Sequence, residues 1–437
     1  MDPKEKFELQ LAKGVRDFPP EDKIIRDEIV QTIKQCFELY GFNPIETPII
    51  ERYETLAAKF AAGEESDALK EIFKLTDQGG RELGLRFDLT VPFCRFVGMN
   101  PKIKMPFKKY LMGQVFRDGP IKTGRYREFM QMDPDIVGID SMLADAEIIA
   151  LSGMIFNKLG FEVTIEFSSR KILDGIIEQL NIPEEERFGV IISIDKLKKF
   201  GKEEVSKELE GKGLSKTQIS QILASFTKGK TNQDTWKKLK SLLTNQTGKQ
   251  GLLEIEQIME FLDDFGVKCA VFDPSLARGL AYYTGPVYEV YLKNSTITSS
   301  VAGGGRYDKI IGNYLQSKRS YPATGISYGV DVIIEAVKEQ RKLTKKSIVE
   351  VYVVPIKTTK ESIKIVQMLR NAGVKTDFDL AERGISKNLE YADAYGIKYV
   401  IIVGQKELEQ GAVKIKNMET GVEQAVKITQ LAGFNFK

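Results

Sequence analysis

Two arginines stand at the ends of a short polar loop in the first third of the chain. Arg117 opens the loop and Arg125 closes it, and strand-like runs flank it at 110–116 and 128–137. A guanidinium group binds phosphate oxygens through paired hydrogen bonds. The hairpin therefore predicts a clamp for a polyphosphate. An exposed basic hairpin without a ligand is the alternative that the loop alone leaves open.

The returning strand of this hairpin carries polar residues at every second position. Gln131, Asp133 and Asp135 alternate along it, so they share one face of the predicted sheet. Polar side chains in this register, beside a phosphate clamp, predict the floor of a binding pocket.

A second polar pair precedes Pro92. Asp88 and Thr90 are two residues apart at the end of a predicted strand at 83–89, so they point the same way and could bind an ammonium group. The alternative role of such a pair is to cap the helix that follows.

The bulk composition narrows the class of protein. The chain has 437 residues, of which 42% are hydrophobic and 29% charged, so it has room for roughly two to four domains. Its first ten residues are too charged for a secretory signal and no apolar run is long enough to span a bilayer, which favours a cytoplasmic protein. The three cysteines are far apart, which predicts neither a disulfide framework nor a metal site. Histidine is absent, so any chemistry must use carboxylates, arginines, tyrosines and the substrate itself.

The net charge of +3 conceals an uneven distribution. Between residues 196 and 250 there are thirteen lysines, no arginine and five acids, which gives this segment +8 and leaves −5 for the rest of the chain. A lysine-only surface attracts a polyanion through its phosphates without reading its sequence. A solvated helical face is the alternative explanation.

The order of the predicted elements indicates how the polar residues are positioned. Hydrophobic spacing predicts a long helix at 21–40, followed by a proline-bearing edge strand at 42–50. A helix-rich stretch runs from 168 to 265, and a strand with a following helix spans 323–336. After a polar break at 342–346, apolar strands alternate with helices, which predicts a small α/β domain with a largely parallel sheet.

Several stretches resemble one protein family. FRDG at 116–119, followed by GRYREFMQMDPDIVG at 124–138, resembles motif 2 of the class II aminoacyl-tRNA synthetases. RGLAYYTG at 278–285 and AGGGRYD at 302–308 resemble signatures of the histidyl members. LRFDLTVP at 85–92 is similar to the corresponding sequence of the archaeal and eukaryotic members.

The resemblance implies an α+β fold with three parts: a class II catalytic core built on an antiparallel sheet, a helical insertion, and a C-terminal α/β anticodon-binding domain. The implied limits are 1–168 for the first part of the core with motifs 1 and 2, and 169–266 for the lysine-rich insertion. The second part of the core, with the histidine signatures and motif 3, takes 267–341, and the anticodon-binding domain takes 347–437. The helix and strand in the position of motif 1 imply a homodimer.

The resemblance also implies an activity, that of a ligase which activates L-histidine with ATP and Mg²⁺ and transfers it to tRNA(His). Arg117 and Arg278 would be catalytic, and Arg117 and Arg125 would bind ATP. The residues implied to bind histidine are Asp88, Leu89, Thr90, Gln131, Asp135, Tyr282 and Tyr283.

One position departs from the family pattern. Motif 3 usually ends in an acid and an arginine that binds ATP, whereas this chain has Val332 after Asp331. The departure leaves room for a non-catalytic paralogue of the same fold, such as a regulatory subunit of ATP phosphoribosyltransferase or a sensor of uncharged tRNA. A general RNA-binding protein that uses the lysine-rich segment is a third possibility.

Overall fold

The structure is a computed structural model, and it describes residues 8–57, 67–121, 124–277, 283–315, 320–340 and 346–436. The chain forms two compact units. The first comprises Met1–Arg16 and Ile29–Val337, and the second comprises Asp17–Glu28 and Lys338–Lys437.

The described residues form helices and strands in alternating groups. The strands are β1 (Asn43–Pro44), β2 (Ile50–Arg52), β3 (Lys74–Thr76), β4 (Glu82–Leu85), β5 (Phe107–Phe116), β6 (Glu128–Val137), β7 (Val163–Ser169), β8 (Ala270–Phe272), β9 (Pro286–Leu292), β10 (Ala302–Arg306), β11 (Ala323–Gly329), β12 (Val351–Pro355), β13 (Thr376–Phe378), β14 (Tyr399–Val403), β15 (Ala412–Asn417) and β16 (Glu423–Lys427). The α-helices are α1 (Pro20–Leu39), α2 (Tyr53–Ala57), α3 (Asp67–Lys70), α4 (Thr90–Met99), α5 (Met142–Leu159), α6 (Arg170–Gln179), α7 (Glu184–Asp195), α8 (Leu197–Gly211), α9 (Lys216–Ser225), α10 (Asn232–Leu242), α11 (Gln246–Asp264), α12 (Ile310–Tyr314), α13 (Val330–Gln340), α14 (Thr359–Asn371), α15 (Ile385–Ala394) and α16 (Gln405–Glu409).

The first unit is built on an eight-stranded sheet with the order β1-β5-β6-β11-β10-β9-β7-β8. The pairs from β5 through β7 are antiparallel, and only the two edge pairs, β1 with β5 and β7 with β8, are parallel. The hairpin of β5 and β6 pairs from Phe107↔Val137 to Phe116↔Glu128, which confirms the predicted strand–loop–strand. The predicted α+β class with an antiparallel core sheet is likewise confirmed.

One face of this sheet packs against long helices. Tyr110 and Tyr328 project from β5 and β11 towards Phe37 of α1, with ring centroids 5.4 and 5.8 Å away, and Phe156 of α5 lies 6.1 Å from Tyr328. Aromatic pairs at such distances contribute packing energy beyond their buried area. Because strand residues alternate between faces, the odd-numbered residues of β5, β6 and β11 point to the opposite face.

The helical stretch predicted between 168 and 265 is observed as α6 to α11. Helices α6 and α11 approach closely through glycines: a Cβ at Gly175 would lie 2.5 Å from the Cα of Gly248. Side chains at this crossing would force the helices apart, which explains the glycine pair. No helix of the described residues is long and apolar enough to cross a membrane.

The second unit contains a five-stranded sheet with the order β13-β12-β14-β15-β16. Helix α14 and strand β14 belong to the alternation of helices and strands that the sequence predicts after residue 346. Strands β13, β12 and β14 are parallel, whereas β15 and β16 add as an antiparallel hairpin. The sheet is therefore mixed rather than largely parallel, because a short turn between β15 and β16 can join only antiparallel neighbours.

Two predicted strands are shorter than expected. The strand predicted at 83–89 ends at Leu85, and Thr90 is already the first residue of α4. The strand predicted at 42–50 reduces to Asn43–Pro44 at the sheet edge, with Ile50 beginning β2. Proline removes a ladder hydrogen bond, so Pro44 and Pro48 interrupt this run.

Candidate active site

A cavity of about 310 Å³ opens between the β5–β6 hairpin and the start of α13. It contains both ends of the predicted phosphate clamp. Its walls are formed by Glu71, Arg117, Gly119, Pro120, Gly124, Arg125, Tyr126, Phe129, Gly329, Asp331 and Val332. The structure thus brings Arg117 and Arg125 to one cavity, although seven residues lie between them in the chain.

Arg117 is held in place from two sides. Its Nε donates a hydrogen bond to the Phe87 carbonyl oxygen at 3.1 Å, and its guanidinium carbon lies 5.1 Å from the centre of the Phe129 ring. The backbone bond ties the arginine to the segment that carries Asp88. A guanidinium held in one orientation loses little freedom when it binds an anion.

The α13 wall of the cavity contains an acid and an apolar side chain. Asp331 accepts hydrogen bonds from Arg16 at 2.5 Å and from the Met130 backbone N–H at 2.7 Å. Arg16 also stacks over the Tyr126 ring at 3.7 Å. Val332 lines the cavity beside Asp331, so the position where the family expects an arginine offers only methyl groups to a ligand.

The polar row of β6, which consists of Gln131, Asp133 and Asp135, begins where this cavity ends. Gln131 pairs in register with Gly329, a cavity residue, and Asp135 pairs with Gly325 further along β11. Phe129 precedes Gln131 by two residues and therefore shares its face. Phe129 is not among the site residues predicted from the sequence, although the same two-residue spacing places it on the face of Gln131.

Asp135 is buried and has two partners that sequence reasoning also missed. Lys109 Nζ donates to one carboxylate oxygen of Asp135, and the Tyr307 hydroxyl donates to the other. Lys109 is 0% exposed, and it lies opposite Asp135 in the β5–β6 register. Burial and the nearby Asp135 carboxylate raise the pKa of Tyr307 well above its ordinary value, so Tyr307 stays a donor.

Glycines create the space in front of Asp135. Gly305 and Gly325 face each other in the β10–β11 register. A Cβ at Gly325 would lie 1.9 Å from Asp135 Oδ1, and one at Gly305 would lie 2.9 Å from Tyr283 Cδ1. Residues opposite each other in a sheet share a face, so Asp135 and Tyr283 lie over neighbouring positions of the same face.

Asp133 lies between Gln131 and Asp135 and has no ion-pair partner among the described residues. It is 2% exposed, and its Oδ1 has no hydrogen-bond partner. Burial, with added repulsion from Asp135, raises its pKa to about 8 although Lys109 acts in the opposite direction. Gln131 Oε1 is likewise buried without a partner, and the Ser327 hydroxyl interacts with the Asp133 carboxyl.

In the Asp88–Leu89–Thr90 triplet, the Asp88 side chain makes a polar contact, whereas the Leu89 side chain is buried among apolar residues. Asp88 Oδ1 accepts a hydrogen bond from the Val91 N–H at 2.9 Å, which is the capping contact that was the alternative interpretation of this pair. The strand expected to carry Asp88 and Thr90 ends at Leu85, so these two residues do not alternate along a strand. The Leu89 side chain is fully buried in an apolar cluster with Phe93, so only its backbone is available to a ligand.

Two of the residues named from the sequence, Arg278 and Tyr282, lie outside the described residues. Their neighbour Tyr283 is described and is 7% exposed.

Comparisons with known proteins agree with this geometry. The family model for histidyl-tRNA synthetase matches residues 14–333, and the model for an anticodon binding domain matches residues 350–434. A histidine–tRNA ligase 1 of Bacillus cereus (strain ATCC 14579) is 41% identical over 98% of this chain and 100% of that protein. A histidine–tRNA ligase of Clostridium tetani (strain Massachusetts / E88) is 36% identical over 97% of this chain and 98% of that protein.

Solved structures point the same way. The crystal structure of histidyl-tRNA synthetase from Nostoc sp. PCC 7120 superimposes with a TM-score of 0.87 and 30% identity, covering 98% of this chain and 99% of that one. A family model that covers most of the chain and relatives that match it from end to end lead to one conclusion. This chain belongs to the histidyl-tRNA synthetase family.

Proposed function

We propose that this protein is a histidine–tRNA ligase, which activates L-histidine with ATP and transfers the histidyl group to tRNA(His). One observation carries the proposal: the cavity lined by Arg117 and Arg125 adjoins the polar row of β6 on a single face of the sheet. A nucleotide in the cavity and an amino acid on the polar row would meet at Gln131.

In the first step the carboxylate of histidine attacks the α-phosphorus of ATP, histidyl-adenylate forms and pyrophosphate leaves. Arg117 would hold the α-phosphate and the attacking carboxylate, Arg125 the distal phosphates, and Arg278 would neutralise charge from the other side. Phe129 supplies an aromatic surface on the cavity wall for the adenine. This step needs no covalent enzyme intermediate, because alignment and charge neutralisation can supply the catalysis.

The amino acid would lie along β6. We assign Asp88, Leu89, Thr90 and Gln131 to the α-amino group, with Leu89 contributing its backbone. Asp135 and Tyr283 would contact the imidazole, with Tyr282 on the same wall. A buried polar pair discriminates strongly, since a side chain that lacks the ring nitrogens leaves both partners without hydrogen bonds.

In the second step a hydroxyl of the terminal tRNA ribose attacks the carbonyl carbon of the adenylate, the acyl–phosphate bond breaks and AMP leaves, and a phosphate oxygen can accept the ribose proton. This scheme needs no protein histidine, which is consistent with the composition. The lysine-rich helices α8 to α10 would contact the tRNA backbone, and the domain at 350–434 would contact the anticodon.

Mg²⁺ would enter with ATP and lower the negative charge of the phosphates. Asp331 and Glu71 are the acids on the cavity wall, and Asp331 is already engaged by Arg16 and Met130. Glu71 is therefore the carboxylate that fits such an ion. The described residues contain no group of three or more His, Cys, Asp or Glu side chains suited to a metal.

The proposal extends to the assembly and the location of the enzyme. A homodimer through the motif 1 region is supported by exposed apolar side chains there, at Leu39, Ile49 and Ile50. We retain 1–168, 169–266, 267–341 and 347–437 as the proposed domain limits, and the cytoplasm as the proposed compartment.

Histidine-dependent exchange of pyrophosphate into ATP tests the proposed chemistry. Arg117→Ala should lower the exchange rate by about 10²–10³-fold, because it removes one positioned charge from the reacting phosphate. Arg52→Ala is the matched control, since Arg52 is exposed and forms an ion pair with the exposed Glu54. Wild-type protein that shows no histidine-dependent exchange with ATP and Mg²⁺ would overturn the proposal.

The uncharged wall at Val332 supports a second candidate, a non-catalytic paralogue that binds histidine or uncharged tRNA. Such a protein would bind its ligand without exchanging pyrophosphate. The same assay, combined with a binding measurement, separates the two functions.

A further inference from the structure

Two buried acceptor atoms on the site face of the sheet lack hydrogen-bond partners, Asp133 Oδ1 and Gln131 Oε1, and the Ser327 hydroxyl lies beside Asp133. Gln131 and Asp133 are successive residues on one face of β6. Ser327 lies on β11 between Gly325 and Gly329, which pair with Asp135 and Gln131, so it faces Asp133. Unpartnered buried polar atoms are uncommon, and two on successive residues of the site face indicate a place built for a ligand.

The surroundings do not neutralise Asp133. The charged or titratable groups that face it come from β5, from β6 and from the segment before α4, namely Lys109, Asp135, Arg86 and Asp88, with the Ser327 hydroxyl on β11. Lys109 directs its ammonium to the Asp135 carboxylate and reaches only the backbone oxygen of Asp133, at 3.2 Å.

Arg86 interacts electrostatically with Asp133 but forms no ion pair with it among the described residues. Its guanidinium donates to the carbonyl oxygens of Gln114 and Thr47, both at 2.8 Å. Two cations, Lys109 and Arg86, face three carboxyls, those of Asp88, Asp133 and Asp135, so the site is one positive charge short when all three carboxyls are ionised.

A primary ammonium group would complete this arrangement. It has three N–H donors and one positive charge, which are sufficient for the two acceptors and the one unbalanced carboxylate. The α-ammonium of the amino acid is the group that would arrive here, next to Gln131.

We infer that Asp133 is a specificity-determining residue. Its carboxyl carries a proton when no histidine is bound and releases that proton to solvent when the α-ammonium of histidine binds. The inference rests on the proposed function and deepens it. Before binding, Lys109 balances Asp135 and Asp133 is neutral. After binding, the ammonium balances the ionised Asp133, so the site stays neutral in both states.

Calorimetric titration of the wild-type protein with L-histidine, in buffers of different ionisation enthalpy, tests this exchange. With the pKa of Asp133 raised to about 8, about half to one proton should leave per histidine bound at about pH 7.5. The imidazole of free histidine is already largely neutral there and contributes little.

Matched variants show whether the released proton comes from the Asp133 carboxyl or from a neighbouring group. Asp133→Asn should bind histidine without releasing a proton, Asp133→Glu should restore the release, and Asp264→Asn, an exposed residue of the same unit, should behave as wild type. Equal release from wild type and Asp133→Asn would overturn the inference.

If Asp133→Asn does not fold, a measurement on the wild-type protein alone still tests the inference. Its affinity for histidine should rise about fivefold between about pH 7 and pH 8, because the protonated fraction of Asp133 falls over that range, and a flat profile would overturn the inference. Exchange activity without proton release would reject this inference only. A protein that shows no histidine binding and no exchange would reject the proposed function.

Discussion

At the scale of single residues, the site depends on how buried charges are balanced. Asp135 has both Lys109 and Tyr307 as partners, whereas its neighbour Asp133 has no ion pair among the described residues. Burying a carboxylate without a partner costs several kcal/mol, so such a group is protonated instead. Asp133 therefore holds a proton at neutral pH, whereas Asp135 lies in an ion pair with Lys109.

This difference predicts how stability depends on pH. The pKa of Asp133 is raised to about 8 by burial and by Asp135, so the folded protein keeps a proton that the unfolded chain has lost. Stability should therefore fall as pH rises from about 4 to about 8, by at most about 1.4 kcal/mol per pH unit from this group. Asp133→Asn should flatten that part of the profile, measured by urea unfolding across this range, and an unchanged slope would contradict the assignment.

A second residue-scale prediction concerns Val332. It lines the cavity close to Gly124, whose Cβ would lie 3.5 Å from Val332 Cγ2. Val332→Arg should place a guanidinium near the distal phosphates and lower the KM for ATP by about tenfold, which corresponds to one charge-assisted hydrogen bond. Val332→Met, which adds length without charge, is the control and should not lower the KM.

At the scale of elements, the sheet positions the site by bringing backbones close together. Strands β10 and β11 carry glycines opposite each other at 305 and 325, and these leave room for the Tyr283 ring and the Asp135 carboxylate. Glycine is required here because any Cβ would occupy the space of a side chain from the neighbouring segment.

Gly325→Ala should therefore displace Asp135, since its Cβ would lie 1.9 Å from Oδ1 of that carboxylate. We expect kcat/KM for histidine in the exchange reaction to fall by about a hundredfold, with a much smaller change in the KM for ATP. Gly153→Ala in α5 is the control, because its nearest new contact is the Cys269 sulfur at 3.5 Å. Equal losses for both substrates would indicate general disruption of the sheet instead.

The helical segment is joined to the sheet through a buried acid at the end of β8. Asp273 is 0% exposed, and Lys198 and Lys228 reach its carboxylate at 3.0 and 2.7 Å. Burial raises the pKa of Asp273, but Lys198, Lys228 and Ser275 together hold it below its ordinary value. The pair of lysines therefore contributes stability above the ordinary pKa of an aspartate, and this contribution is lost as pH falls through the lowered value.

Replacing both lysines, Lys198→Gln with Lys228→Gln, should lower the free energy of unfolding by about 2–3 kcal/mol at neutral pH, because a buried carboxylate loses its counterions. Either substitution alone should cost less than half of this, since one lysine still faces Asp273. Chemical denaturation of the three variants measures the coupling. Lys268→Gln, an exposed control, should change stability little, and additive losses would contradict a shared acceptor.

At the scale of the whole molecule, charge is separated along the chain. The segment at 196–250 carries +8 while the rest of the chain carries −5. Helices α8 to α10 present several lysines of this segment to solvent. Such a distribution favours association with a polyanion over a broad surface, with little dependence on its sequence.

Binding of tRNA(His) should accordingly weaken as salt rises. Replacing three exposed lysines, Lys202, Lys207 and Lys237, by glutamine should reduce the slope of log affinity against log salt by about two to three units. Histidine-dependent pyrophosphate exchange without tRNA should stay at the wild-type rate, which serves as the control. An unchanged slope would show that the tRNA backbone lies elsewhere.

Much of this protein was determined by its sequence alone. The hairpin with Arg117 and Arg125, the alternation of Gln131, Asp133 and Asp135, and the long helix ending near Leu39 follow from turn residues and periodicity. These are local rules, and the residues that obey them are neighbours in the chain. The family resemblance could be seen for the same reason, because its motifs are short and continuous.

Only the tertiary structure decided which of these groups are paired, buried or charged. Lys109 and Tyr307 pair with Asp135, Asp331 of α13 binds the Met130 N–H of β6, and Asp133 has no ion-pair partner among the described residues. Tyr307 is 172 residues from Asp135, and Asp331 is 201 residues from Met130. Burial and ion pairing depend on such distant neighbours, and no local pattern contains that information.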